Sequence, residues 1–115
     1  MYNYQLKNND QMEFIPVAQV SELGNGERLI FEVGGEPIAL FNIAGEYFAI
    51  ADVCSHDDGP VAEGELEGYE IACPRHGARF DLKTGEALSL PAVVDIPAYP
   101  VRVEGDEILI GLPVD

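Results

Sequence analysis

Short apolar runs alternate with turn-forming residues along most of the chain, and no stretch longer than a turn or two carries helical periodicity. Met12 to Val17 opens the pattern. Arg28 to Val33 and Glu36 to Asn42 flank Gly34 and Gly35, which supply the positive φ angles of a tight hairpin turn. Ala44 and Gly45 make a second turn into Glu46 to Ile50, so these three runs predict an antiparallel meander. Near the other end, Tyr99 to Glu104 and Glu107 to Leu112 meet across Gly105 and Asp106. Val101, Val103, Ile108 and Ile110 alternate there with polar neighbours, the signature of a closing hairpin. Val17 to Leu23 has room for one short helical turn. The predicted fold class is all-β, a small antiparallel sandwich or barrel-like body.

The middle of the chain breaks this rhythm. Glu65 to Glu67 and Tyr69 to Ala72 bracket Gly68 as two short strands, while Asp57, Asp58, Gly59 and Pro60, and again Pro74, Arg75 and Gly77, are loop formers. An inserted subdomain over roughly residues 46–86 is therefore expected within one domain spanning 12–115, preceded by a polar, loosely tied segment 1–11. Met12 is an alternative start to Met1.

That insertion holds all the soft metal donors of the chain. The 115 residues include two Cys and two His, placed as Cys54 and His56 in one loop and Cys73 and His76 in the other. Donors used only in two paired bursts point to one metal site, and a dinuclear iron–sulfur cluster with Cys on one iron and His on the other would consume the full set. Zinc is a second possibility, although its usual spacings group like ligands together rather than mixing them. A Cys54–Cys73 disulfide would leave both His without a role, and a Cys–His hydrolase would need an orienting third group and an oxyanion pocket. Unrelated core and surface positions are the remaining alternative.

The two runs resemble the Rieske family, whose pattern is Cys-x-His, a spacer, then Cys-x-x-His. Past the ligands, His76 to Asp81 with Lys83, Thr84 and Gly85 is similar to soluble Rieske-type ferredoxins. Leu90, Pro91 and the run Tyr99 to Val103 resemble the ferredoxins of aromatic-ring dioxygenases. The resemblance spans about Phe14 to Leu112. It implies a Rieske fold with an inserted cluster-binding subdomain, one 2Fe-2S cluster, and Cys54, His56, Cys73 and His76 as its ligands. The docking face would surround His56 and His76, and Pro91 would belong to a segment covering the cluster. High-potential relatives place a Ser and a Tyr as hydrogen-bond donors where this chain has Ala78 and Phe80, and a disulfide where it has Gly59 and Arg75. A low-potential centre follows, near the lower end of the range of about −150 to +300 mV for such sites.

Charge and residue counts narrow the function. With 21 acidic against 6 basic residues the net charge is −15, which repels nucleic acid and anionic lipid and suits steering toward a basic partner. The polar start offers no signal peptide or membrane anchor, so a cytoplasmic location is expected, and the charge favours a monomer. No His remains for a mononuclear oxygenase iron, and Gly24 to Leu29 lacks a dinucleotide fingerprint, so the chain is expected to be an electron carrier and no enzyme. By resemblance, a flavin-dependent ferredoxin reductase would be the donor and a terminal oxygenase the acceptor. The alternatives are a Rieske-like subunit of another redox enzyme, such as the nitrite reductase small subunit, or an iron–sulfur assembly or redox-sensing protein. Arg75, Arg79 and Lys83 stand beside the second ligand loop, for docking or cluster stabilisation on one view and for pairing with Asp57, Asp58 or Asp81 on the other.

Overall fold

The computed structural model describes residues 12–54, 59–75, 77–90 and 94–113, which form strands, turns and loops with no α-helix. The first sheet has the order β1 (Met12–Gln19), β10 (Glu107–Pro113), β9 (Val101–Glu104). The second runs β2 (Arg28–Val33), β3 (Glu36–Ile43), β4 (Glu46–Ala51), β8 (Ala98–Tyr99). A third, smaller sheet comprises β5 (Leu66–Glu67), β6 (Glu70–Ala72) and β7 (Arg79–Asp81). Every pairing is antiparallel.

The meander forms as the turn chemistry predicts. Val33 pairs with Glu36 across Gly34 and Gly35, whose φ values of 60° and 84° are those a two-residue hairpin needs. At the next turn Ala44 takes φ 55°, a conformation that disfavours a side chain, and two amides hold it there. The Ala44 N–H donates to Asn25 Oδ1 at 2.7 Å and the Gly45 N–H to Asn42 Oδ1 at 2.9 Å. The helical turn near Val17 to Leu23 contracts to a single 3-10 turn over Val20–Glu22.

The closing hairpin differs from expectation at its start. Tyr99 does not continue into Val101: it pairs with Ala49 of β4, whereas β9 begins after Pro100 and belongs to the other sheet. Proline has no N–H for a ladder, so the strand changes sheets there, and the Pro100 carbonyl is taken up by the Gly111 N–H at 2.9 Å. Val103, which alternates with polar neighbours in sequence, is 44% exposed on the edge strand β9, and the inward face is filled from β10 by Ile108 and Ile110.

The second sheet is covered on both faces. Ile38, Leu40, Ala49 and Ala51 pack against Ile108 and Ile110 of the first sheet, with Leu23 and Tyr99 in the same cluster. Their neighbours Ala39, Phe41 and Ile50 point the other way, into a cluster with Ile71, Phe80 and Leu82 around the third sheet. Residues 38–42 of β3 are consequently all buried, which explains why Ile38 to Phe41 reads as an unbroken apolar run rather than an alternating one. β4, the first part of the stretch expected to be inserted, hydrogen-bonds to β3 along its length, and the strands of the third sheet follow it between Leu66 and Asp81.

Candidate metal centre

Cys54 follows shortly after β4 and Cys73 directly after β6. Both are buried, at 0% and 2% exposure, and both sit in the same apolar cluster with Val61, Ala62, Ile71, Ala78 and Phe80. They are not bridged as a disulfide. The two loops close in the same way. The Cys54 N–H donates to the Gly59 carbonyl and the Cys73 N–H to the Ala78 carbonyl, each at 2.7 Å. The Gly77 N–H also returns to the Cys73 carbonyl at 2.9 Å, with Gly77 at φ 77°, where a side chain would be strained. His56 and His76 lie outside the described residues, as do Asp57, Asp58 and Pro91. By chain position each His falls between the two ends of one of these loops.

Two charged side chains brace the segment that follows the first loop. Asp52 is 7% exposed, and its Oδ1 accepts the Val61 N–H at 2.8 Å and the Ala62 N–H at 2.7 Å. Arg28 reaches from β2, stacks over the Phe41 ring at 5.6 Å, and donates through Nη1 to the carbonyls of Ala62 at 2.5 Å and Gly64 at 2.7 Å. Gly64 itself cannot carry a side chain, because a Cβ there would lie 1.6 Å from the Ala72 carbonyl oxygen. The segment before Cys73 and the one after Cys54 are thereby pressed together, backbone against backbone. Neither Asp52 nor Arg28 stands out in the sequence. The available signal was an acid placed two residues before Cys54, directly after the apolar run Phe48 to Ala51.

The three basic residues beside the second loop have separate settings. Arg75 crosses to the first loop, donating through Nη1 to the Pro60 carbonyl at 2.9 Å. Arg79 pairs with Glu67 at 2.8 Å and Glu70 at 3.3 Å rather than with the acids named from the sequence. The Lys83 ammonium stands 4.1 Å from the centre of the Tyr69 ring. Tyr69 donates its hydroxyl to Glu46 Oε1 at 3.0 Å and meets Phe48 edge-on at 5.5 Å, joining the small sheet to β4. That hydrogen bond, and then the Glu46 charge, raise the Tyr69 pKa above its ordinary value of 10.0.

Ala78 and Phe80 are both fully buried, and neither side chain carries a hydrogen-bond donor. Two thiols enclosed in an apolar core, each opening a loop that also carries an imidazole in sequence, form a donor set suited to an iron–sulfur cluster with mixed ligands.

Comparison with known proteins agrees with that chemistry. The Rieske [2Fe-2S] domain model matches residues 13–100, and the chain belongs to this family, whose cofactor is one 2Fe-2S cluster. Among its relatives, the ferredoxin component of biphenyl 2,3-dioxygenase from Rhodococcus jostii (strain RHA1) is 42% identical over 101 residues, 88% of this chain and 94% of the relative. The ferredoxin subunit of 3-phenylpropionate/cinnamic acid dioxygenase from Escherichia coli (strain K12) is 50% identical over 99 residues, 85% of this chain and 90% of that subunit. A solved complex of reduced oxygenase and oxidised ferredoxin in carbazole 1,9a-dioxygenase contains a chain that superposes with a TM-score of 0.78 at 30% identity, covering 84% of this chain and 91% of that one. No helix among the described residues is long and apolar enough to cross a membrane.

Proposed function

We propose that this protein is the electron-carrying ferredoxin of an aromatic-ring dioxygenase system, with Cys54, His56, Cys73 and His76 holding its cluster. The observation that carries this assignment is the matched pair of loops. Each begins at a buried cysteine, is closed by the same backbone hydrogen bond, and contains one histidine in sequence. The bound cluster supplies a site that takes up and releases a single electron. The chain supplies the setting. The cysteines anchor one side in the apolar core, and the histidines would hold the side that a partner approaches. Ala78 and Phe80 offer the sulfurs no side-chain hydrogen bonds, which favours a potential near the low end of the family range, about −150 mV.

The donor is a flavin-dependent ferredoxin reductase and the acceptor a terminal oxygenase, both meeting the surface around His56 and His76. The relatives named above are all components of dioxygenase systems, which supports this role over a nitrite reductase subunit or an assembly or sensing protein. A net charge of −15 supports brief, salt-sensitive encounters by a monomer with basic partner surfaces. Rapid mixing of the reduced protein with oxidised terminal oxygenases of the biphenyl and phenylpropionate types tests the assignment. One electron should leave per chain, more slowly as salt is raised. A protein that shows the Rieske spectrum but passes no electron to any of these oxygenases, and accepts none from their reductases, is not their carrier.

A further inference from the structure

Among the described residues, one side chain reaches from the second cysteine loop to the first. Arg75, two residues after Cys73, donates to the Pro60 carbonyl at 2.9 Å, and Pro60 directly follows the residue that closes the Cys54 loop. Its guanidinium lies flat against Gly59. A Cβ added to Gly59 would be 2.6 Å from Arg75 Nη2, 2.7 Å from Cζ and 3.1 Å from Nε. The glycine has no positive φ to explain it, and the backbone at this position would accept alanine. The three atoms nearest to a side chain there all belong to the arginine, which would have to move aside.

We infer that Arg75 is a positioning residue, a non-covalent tie that clamps the second cysteine loop onto the first, and that Gly59 is the seat kept empty for it. The inference deepens the function proposed above and rests on these being the two cluster loops. A cluster gripped from two loops is lost when they part, so the tie acts on the rate of cluster loss. It also acts through charge. Reduction adds one negative charge to the cluster, and a fixed cation two residues from Cys73 favours that state. The long side chain and its donors suit a guanidinium better than an ammonium, which cannot lie flat against a backbone.

A double-mutant cycle on the cluster-loaded protein separates the tie from general damage. The wild type is first checked for two irons per chain and a Rieske spin spectrum, which tests the cluster assignment independently. Loss of visible absorption in excess iron chelator is then followed for Arg75→Ala, Gly59→Ala and the double variant. Arg75→Ala should accelerate loss about fivefold. Gly59→Ala should do nearly the same, because its methyl group displaces the guanidinium, and the double variant should be no faster than Arg75→Ala alone. The midpoint potential should fall in Arg75→Ala and stay close to wild type in Arg75→Lys and Gly59→Ala, which keep the cation. Additive effects in the double variant would overturn the inference, as would an Arg75→Ala protein that holds its cluster as long as the wild type. Should Arg75→Ala fail to load a cluster, Arg75→Lys against Gly59→Ala/Arg75→Lys supplies the same cycle.

Discussion

The two halves of the interior are built from different materials. On one side of the second sheet, β1 pairs with β10 from Met12 and Pro113 to Gln19 and Glu107, and the space between is filled by Ile38, Leu40, Ile108 and Ile110. On the other side, strands of two or three residues make up the whole small sheet, and its loops are held by individual bonds from Asp52, Arg28 and Arg75. Long ladders and aliphatic packing stand without a ligand. Strands this short pair over too little length to fix the loops, so that half is held by the apolar cluster around Ile71 and Phe80 together with charged side chains bonded to backbone, and by the metal centre itself.

The sharpest way to separate the halves is to remove an anchor. Cys73→Ser should abolish cluster incorporation and leave amides of β5, β6 and β7 open to hydrogen exchange, while those of β3 and β10 stay protected. Uniform loss of protection would mean that the two regions fold as one unit. The reverse experiment weakens the sandwich. Leu40 is fully buried on the face away from the cysteines, and Leu40→Ala should lower global stability by about 3 kcal/mol in denaturant titrations while leaving the visible spectrum and midpoint potential unchanged. A shifted potential would show strain passing through the shared sheet.

The smallest effect concerns the seam. Tyr69, in the turn between β5 and β6, bonds to Glu46 at the start of β4, and its pKa is raised. The neutral hydroxyl is the form the fold prefers, so this contribution is complete below about pH 10 and disappears as pH rises through the titration of Tyr69. In Glu46→Ala the Tyr69 titration should move down toward 10.0 in an ultraviolet difference experiment. An unmoved titration would show that the seam bond is not what shifts it.

Much of the sandwich is legible from local signals because its turns carry them. Paired glycines at 34 and 35 and the Gly105 and Asp106 corner set hairpins that need no information from elsewhere in the chain. Pairing of β1 with β10 has no such signal, since strands from opposite ends of the sequence are brought together only by the completed core. The switch of sheets at Pro100 was marked by a proline inside an apolar run, a feature that alternation alone overrides. At the metal centre, rare residue types in paired bursts reveal the cysteine loops. The braces do not reveal themselves, because an isolated Asp or Arg in an acidic chain resembles any solvated surface charge until its burial and partners are known. Val103 keeps the alternation of its strand and is still 44% exposed, because β9 lies at the edge of its sheet.

The pairing of β1 with β10 also fixes where the molecule can be handled. Both strands that terminate the described chain lie in the sheet that the middle sheet separates from Cys54 and Cys73. Attached to an electrode through a residue of β1 or β10, the protein would turn its cysteine loops toward the solution. Direct voltammetry would then favour the opposite arrangement, in which immobilisation is through a residue on the rim of those loops.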